Sequence, residues 1–192
     1  MKFQANQKKT RWLNFKLLTI FFLILIACAT VPKKTYEEKI SEWKSYKDVA
    51  KWMSWNFSYD MARLKEVKGK DPNIVRPRSP QKTFELKSGV CFDAAVFAIK
   101  TLNRIDPSYE AEIVFMERDD GNHYVCSFKK GGELYIMDFG TSIKSVAGVH
   151  GPYNSLKEYK RFFEISYPRQ TTIKSISFGW PEWWKVGEET EN

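Results

Sequence analysis

Cys91, His123 and Asp138 have the chemistry of a nucleophile, a proton carrier and an orienting acid, and they occur in that order along the chain. Cys91 lies in Ser88-Gly89-Val90-Cys91-Phe92-Asp93-Ala94-Ala95. This stretch reads as a glycine turn that delivers the thiol onto the first turn of an apolar helix. Gly89 permits the backbone angles and close approach that a sharp loop-to-helix turn needs. No Gly or Pro occurs from Val90 to about Asn103, and Ala94, Ala95, Ala98 and Leu102 recur at helical spacing. A thiol at a helix N-terminus sits at the positive end of the macrodipole, which favours the thiolate. The alternative for Cys91 taken alone is a small buried hydrophobe. The downstream histidine and aspartate favour the nucleophile.

Those two residues need strands to bring them together. After the cysteine helix the hydrophobic period changes from 3.6 to 2, which predicts strands over 110–118, 122–129 and 133–140. Asp119-Asp120-Gly121-Asn122 and Lys129-Lys130-Gly131-Gly132 separate them as tight turns. A turn centred between Lys130 and Gly131 pairs 123 directly with 138, so His123 and Asp138 become cross-strand neighbours. Asp138 shares a strand face with Leu134 and Ile136, where a carboxylate is costly without a partner, and His123 is the expected one. The carboxylate then fixes the imidazole tautomer and leaves the other ring nitrogen for the thiol. Taken singly, Asp138 reads as a strand-end cap and His123 as a polar residue after a turn. Cys126 is three residues from His123, so on a regular strand it points to the opposite face, buried beside Tyr124 and Phe128. On that parity a Cys91–Cys126 disulfide and a Cys91–His123–Asp138 triad exclude each other.

Other segments frame these blocks. Thr35-Tyr36-Glu37-Glu38 and Ser45-x-x-Asp48 have capping-box spacing. The second predicts a helix ending near 56–59, with Val49, Trp52 and Met53 in the core. Residues 65–82 contain Gly69, Pro72, Pro77 and Pro80 among charges and predict a long surface loop, with a helical turn from Pro80 to Leu86. Ser155-Leu156-Lys157-Glu158 predicts a helix to about Ile165, stopped by Pro168, and Thr171–Phe178 a last strand. The fold class expected is α+β: a helix carrying the cysteine at its N-terminus, packed on an antiparallel sheet. No Cys-x-x-Cys pair is present, and His150 lacks paired ligand spacing, so no metal or cofactor is expected.

The 192 residues carry a formal charge of +8. Five of the basic residues (Lys2, Lys8, Lys9, Arg11 and Lys16) lie in the first 27, which hold no acid, leaving +3 for the rest. That is an ordinary solvated surface and excludes nucleic acid as the expected partner. The basic leader runs into Leu17–Ala27, an apolar run with the length of a signal-peptide core. Leu25-Ile26-Ala27-Cys28 resembles the lipobox of bacterial lipoproteins, which implies cleavage before Cys28 and its lipidation. The alternatives are a plain signal peptide or an uncleaved anchor. The expected organisation is a signal peptide over 1–27, a tether over 28–34 and one domain over 35–192. The expected location is the cell envelope, lipid-anchored to a bacterial membrane and facing outward.

Gly89-Val90-Cys91-x-x-Ala94-Ala95, His123-Tyr124-Val125 and Leu134-Tyr135-Ile136-Met137-Asp138 resemble the three blocks of the transglutaminase-like domain of the papain-like cysteine-enzyme superfamily. The helix around Val49–Trp52, ending at Tyr59, resembles the segment before the cysteine in such domains. The resemblance covers roughly residues 45 to 140. It implies Cys91 as nucleophile, His123 as base and acid, Asp138 as orienting residue, and a peptide or amide substrate attacked to give a thioester. The Cys91 N–H would form half an oxyanion hole, with Trp55 or Tyr59 as candidates for the other half. Val90 and Phe92 replace the Gln and Trp that flank the cysteine of animal crosslinking enzymes, and Val125 stands where many relatives have Trp. The chain has no room for the accessory domains and calcium sites of the large transglutaminases. Hydrolysis of proteins, peptides or cell-wall stem peptides is therefore expected ahead of crosslinking. A catalytically silent binding module, using Trp180-Pro181-Glu182-Trp183-Trp184-Lys185, is the alternative from another class.

Overall fold

The computed structural model describes residues 33–71, 74–168 and 171–182. The predicted leader, Cys28 and Trp183–Lys185 lie outside the described residues. The chain from Thr35 onward forms one compact unit. It opens with helix α1 (Tyr36–Ile40), capped reciprocally by Thr35 and Glu38, and helix α2 (Tyr46–Asn56). The Asp48 carboxylate takes the backbone N–H groups of Lys44 and Ser45 before α2. Val49, Trp52 and Met53 are buried, as their spacing predicts.

Strand β1 (Ser58–Tyr59) pairs in parallel with β2 (Ser88–Gly89). Between them the expected loop is partly helical: α3 (Met61–Val67) and α4 (Pro80–Leu86) enclose an irregular stretch. The local reason for α3 is an N-cap, since the Asp60 side chain accepts the N–H of Arg63. The charged helix lacks a strong apolar stripe, so its period is faint in the sequence. Ser79 caps α4, with Pro80 in its first turn, where a missing N–H costs nothing.

Helix α5 (Cys91–Ile105) is the central element, with Phe97, Ala98, Thr101 and Leu102 buried. A short 3-10 turn (Pro107–Tyr109) leads to strands β3 (Glu112–Arg118), β4 (His123–Lys130), β5 (Glu133–Asp138), β6 (Gly148–Tyr153), helix α6 (Leu156–Ser166) and strand β7 (Ile173–Phe178). Among the described residues the main sheet runs β6-β5-β4-β3-β7, all antiparallel. β6 escapes a periodicity reading because its sequence is Gly-Val-His-Gly-Pro-Tyr, with neither face consistently apolar.

Each face of the sheet packs a helix. On the α5 face, Cys126, Phe128 and Met137 join Phe97, Ala98 and Leu102, with Trp43, Trp52 and Phe84 behind. Trp52 stacks on Phe84 at 5.0 Å and an interplanar angle of 16°. On the α6 face, Val114, Met116, Val125 and Ile136 meet Tyr159 and Phe163. Each large buried apolar side chain contributes about 1.5–3 kcal/mol. The α+β class holds, with a helix on either side of an antiparallel sheet.

Candidate functional site

Cys91 is the first residue of α5, 8% exposed, after the extended Val90. Two glycines let backbone crowd around it. A Cβ on Gly89 would lie 2.6 Å from Asp93 Cβ, and one on Gly140 would lie 2.5 Å from Cys91 Cα. The chain leaving β5 therefore passes directly over the cysteine backbone. Tyr59, paired with Gly89, lies close enough for the sulfur to act on its phenol, which burial first and the Cys91 charge second push well up. Of the two expected candidates for the second half of the oxyanion hole, Tyr59 packs partly buried against the cluster around Cys91, whereas Trp55 is 82% exposed.

Asp93 is the site residue that sequence reasoning missed. Its side chain is fully buried two positions after Cys91. One oxygen accepts from the Val90 N–H at 3.0 Å and Arg63 Nε at 3.2 Å, the other from the Arg78 N–H at 2.8 Å. Arg63 also donates to the Arg76 carbonyl, and Arg78 Nη1 to Asp60 and the Ser88 carbonyl. The carboxylate thus ties the segment between α3 and α4 to the start of the cysteine helix. Val75 from that segment is buried in the cluster around Cys91. The signal was present: a lone acid at the third position of an apolar helix, where it accepts N-terminal N–H groups.

His123 Nε2 and Asp138 Oδ2 are 2.7 Å apart and both side chains are buried. Burial alone would lower the imidazole pKa. The Asp138 charge and hydrogen bond, with a smaller contribution from Cys91, outweigh it and raise it to about 9. With Nε2 on the carboxylate, Nδ1 is the nitrogen left for sulfur. Asp138 Oδ1 has no hydrogen-bond partner among the described residues, and neither has the buried Tyr159 hydroxyl. Burial, then the Asp138 charge, raise the Tyr159 phenol far above its usual range.

The three predicted residues meet, by a different route from the one expected. The β4–β5 register pairs Lys130 with Glu133 and Cys126 with Met137, so the turn is centred between Gly131 and Gly132. Carried to the start of β4, that register sets His123 opposite Gly140, and Asp138 is a diagonal neighbour still within reach. The faces are exchanged as well. Tyr124, Cys126 and Phe128 lie on the α5 face, whereas the His123 ring packs against Phe163 of α6 at 5.7 Å. His123 meets Cys91 because it sits at the strand's end, where a side chain is not confined to one face. Parity does separate Cys126 from His123. Cys91 and Cys126 are both free, and burial pushes the Cys126 thiol up strongly.

The remaining candidates have structural roles. His150 Nε2 is 2.9 Å from the Val146 carbonyl, and its ring packs on Phe162. Trp180 packs against Tyr124, with ring centroids 5.5 Å apart. No group of three metal-ligating side chains occurs among the described residues. A thiol at a helix start, an imidazole that titrates and the buried carboxylate bonded to it have the parts for nucleophilic attack with proton transfer.

A family model for the transglutaminase-like domain matches residues 27–164. A crystal structure of a TGase is similar over 74% of this chain at 14% identity, with a TM-score of 0.43. The chain spans 43% of that protein's length. No curated protein matches.

Proposed function

The chain belongs to the transglutaminase-like domain family, and we propose that it is a cysteine hydrolase cleaving peptide or amide bonds. The observation that carries this reading is the buried His123–Asp138 pair at 2.7 Å, whose imidazole also feels Cys91 at the start of α5. The Cys91 thiol gives its proton to His123 Nδ1 as its sulfur attacks the carbonyl carbon, and the carbonyl electron pair moves onto oxygen beside the Cys91 N–H and Tyr59. As the C–N bond breaks, the leaving amine takes a proton from His123 Nδ1, and a thioester remains. Water then adds to the thioester while His123 takes its proton. Collapse releases a carboxylic acid and restores the sulfur. Asp138 stabilises the imidazolium formed on the way and holds Nε2 as the donor. Val90 and Phe92 stand where animal crosslinking enzymes carry Gln and Trp, which supports hydrolysis ahead of crosslinking.

Iodoacetamide labelling of Cys91, followed by mass spectrometry, tests the reading. Cys91 is expected to react far faster than an ordinary thiol near neutral pH, and His123→Ala to remove that advantage. An ordinary rate, unchanged in His123→Ala, would leave a silent binding module in place of the enzyme.

The leader supports a second part of the reading. Cys28 is acylated and holds the domain on the outer side of a bacterial membrane. Cells fed a fatty-acid analogue should label the wild type and not Cys28→Ser; equal labelling of both rejects the anchor.

A further inference from the structure

Beside the nucleophile, a groove of about 710 Å³ opens between α2 and the segment from Phe139 to Val149. It borders the site through three of its lining residues. Tyr59 lines it and lies within the electrostatic reach of Cys91. Phe139 and Thr141, also lining it, flank the glycine that passes over the Cys91 backbone.

The lining is one-sided in charge. Among the described residues Lys51 and Lys144 are the only charged side chains lining it, and no carboxylate lines it. Both are exposed, and neither makes a salt bridge among the described residues. Asp48, one turn before Lys51, feels its charge, but that carboxylate lies outside the groove and is already engaged by two backbone N–H groups. Trp55, 82% exposed, offers an apolar face at the same groove. Exposed tryptophan is rare without a partner, because its indole is among the largest apolar surfaces a side chain can hide. A cleft carrying two cations and no anion selects ligands of the opposite sign, and its low-dielectric walls strengthen the field inside.

We propose that this groove receives an acidic segment of the peptide substrate, one that places a carboxylate between Lys51 and Lys144 and an apolar or backbone stretch against Trp55. The inference rests on the hydrolase reading and adds its substrate class: peptides carrying Glu, Asp or a free carboxylate next to the scissile bond, in preference to neutral or basic ones.

Cysteine-directed epoxysuccinyl peptides test it without a known substrate. Two sets extend from opposite ends of the warhead, and members of each set differ only in bearing Glu, Gln or Lys. Labelling of Cys91 is measured by mass spectrometry, and each rate is divided by the iodoacetamide rate of the same protein. At low ionic strength the Glu probe of at least one set should outpace its Lys counterpart by about tenfold, with Gln between. At about 1 M salt the spread should shrink, because screening then acts within about 3 Å. The Lys51→Glu/Lys144→Glu double variant should reverse the order. Equal normalised rates for Glu, Gln and Lys in both sets, with fast iodoacetamide labelling, overturn the acidic-substrate proposal and leave the hydrolase standing. An order that persists unchanged in the double variant also overturns it, since the selectivity would then come from elsewhere. Slow iodoacetamide labelling overturns both readings together.

Discussion

Two buried aspartates stand near Cys91, and they are bonded in opposite ways. Asp93 has both oxygens occupied, by two backbone N–H groups and the Arg63 guanidinium, drawn from three separate stretches of chain. Asp138 has one oxygen on His123 and the other without a hydrogen-bond partner among the described residues. Fixed backbone donors cannot titrate, so the energy of Asp93 is the same whatever the state of the site. It fastens the segment between α3 and α4 to the start of α5. Asp138 answers to a single imidazole, and its interaction changes with each proton that imidazole gains or loses. A saturated buried charge holds structure; an unsaturated one facing a titrating partner serves chemistry.

Exchanging each carboxylate for a neutral group should separate the two roles. The largest effect is expected from Asp138→Asn. Loss of the useful tautomer should cut turnover by about 10⁴-fold, while the melting temperature, compared above about pH 9 where the pair no longer adds stability, stays near that of the wild type. Equal losses of turnover and stability would break the comparison. Next comes Asp93→Ala, which removes the acceptor of two backbone N–H groups and of Arg63 Nε in the interior. Urea unfolding should show a loss of about 3–5 kcal/mol, with Cys91 reactivity preserved in the molecules that remain folded.

A pH profile sharpens the contrast further. The His123 pKa is raised from its ordinary 6.5 to about 9 by Asp138 and Cys91 acting against burial. A raised folded-state value adds stability that is complete below about pH 6.5 and disappears as the pH climbs through about 9. The urea midpoint of the wild type should therefore fall over that window, and turnover should decline above about pH 9 as the imidazolium is lost. In Asp138→Asn both changes should move to lower pH; in Asp93→Asn neither should move. The smallest expected difference lies in two tyrosines. Tyr36 shares a buried 3.0 Å hydrogen bond with Thr101, and Tyr36→Phe should cost about 1 kcal/mol. The Tyr159 hydroxyl has no such bond. Tyr159→Phe should therefore cost less than Tyr36→Phe, read from paired urea titrations.

Much of the site was legible where local chemistry dictates structure. The turn before Cys91, the apolar helix after it and the capping boxes at Thr35 and Ser45 follow from short-range sterics and hydrogen bonding, which nearest neighbours decide. Helix α3 and strand β6 were not legible. The first is seven residues long, started by the Asp60 cap, with Leu64 and Val67 only partly buried, and the second exists because β5 offers it an edge. The hairpin turn was placed one residue early because Lys129-Lys130-Gly131-Gly132 offers two adjacent centres with similar turn chemistry. The pairing of β5 with β4 chooses between them.

The sequence by itself determined the parts: a thiol at a helix start, an imidazole and a carboxylate on successive strands, and an α+β frame to carry them. These are properties of residue type and of periods within one element, so no long-range contact is needed to see them. The tertiary structure alone decided how they meet. The register makes His123 and Asp138 diagonal neighbours, and the strand's end lets His123 turn from the α6 face toward Cys91. Gly140 brings β5 over the nucleophile, and Asp93 gathers donors from Arg63, Arg78 and Val90. Each depends on which distant segments share space, and that is settled only when the two faces of the sheet bury their helices.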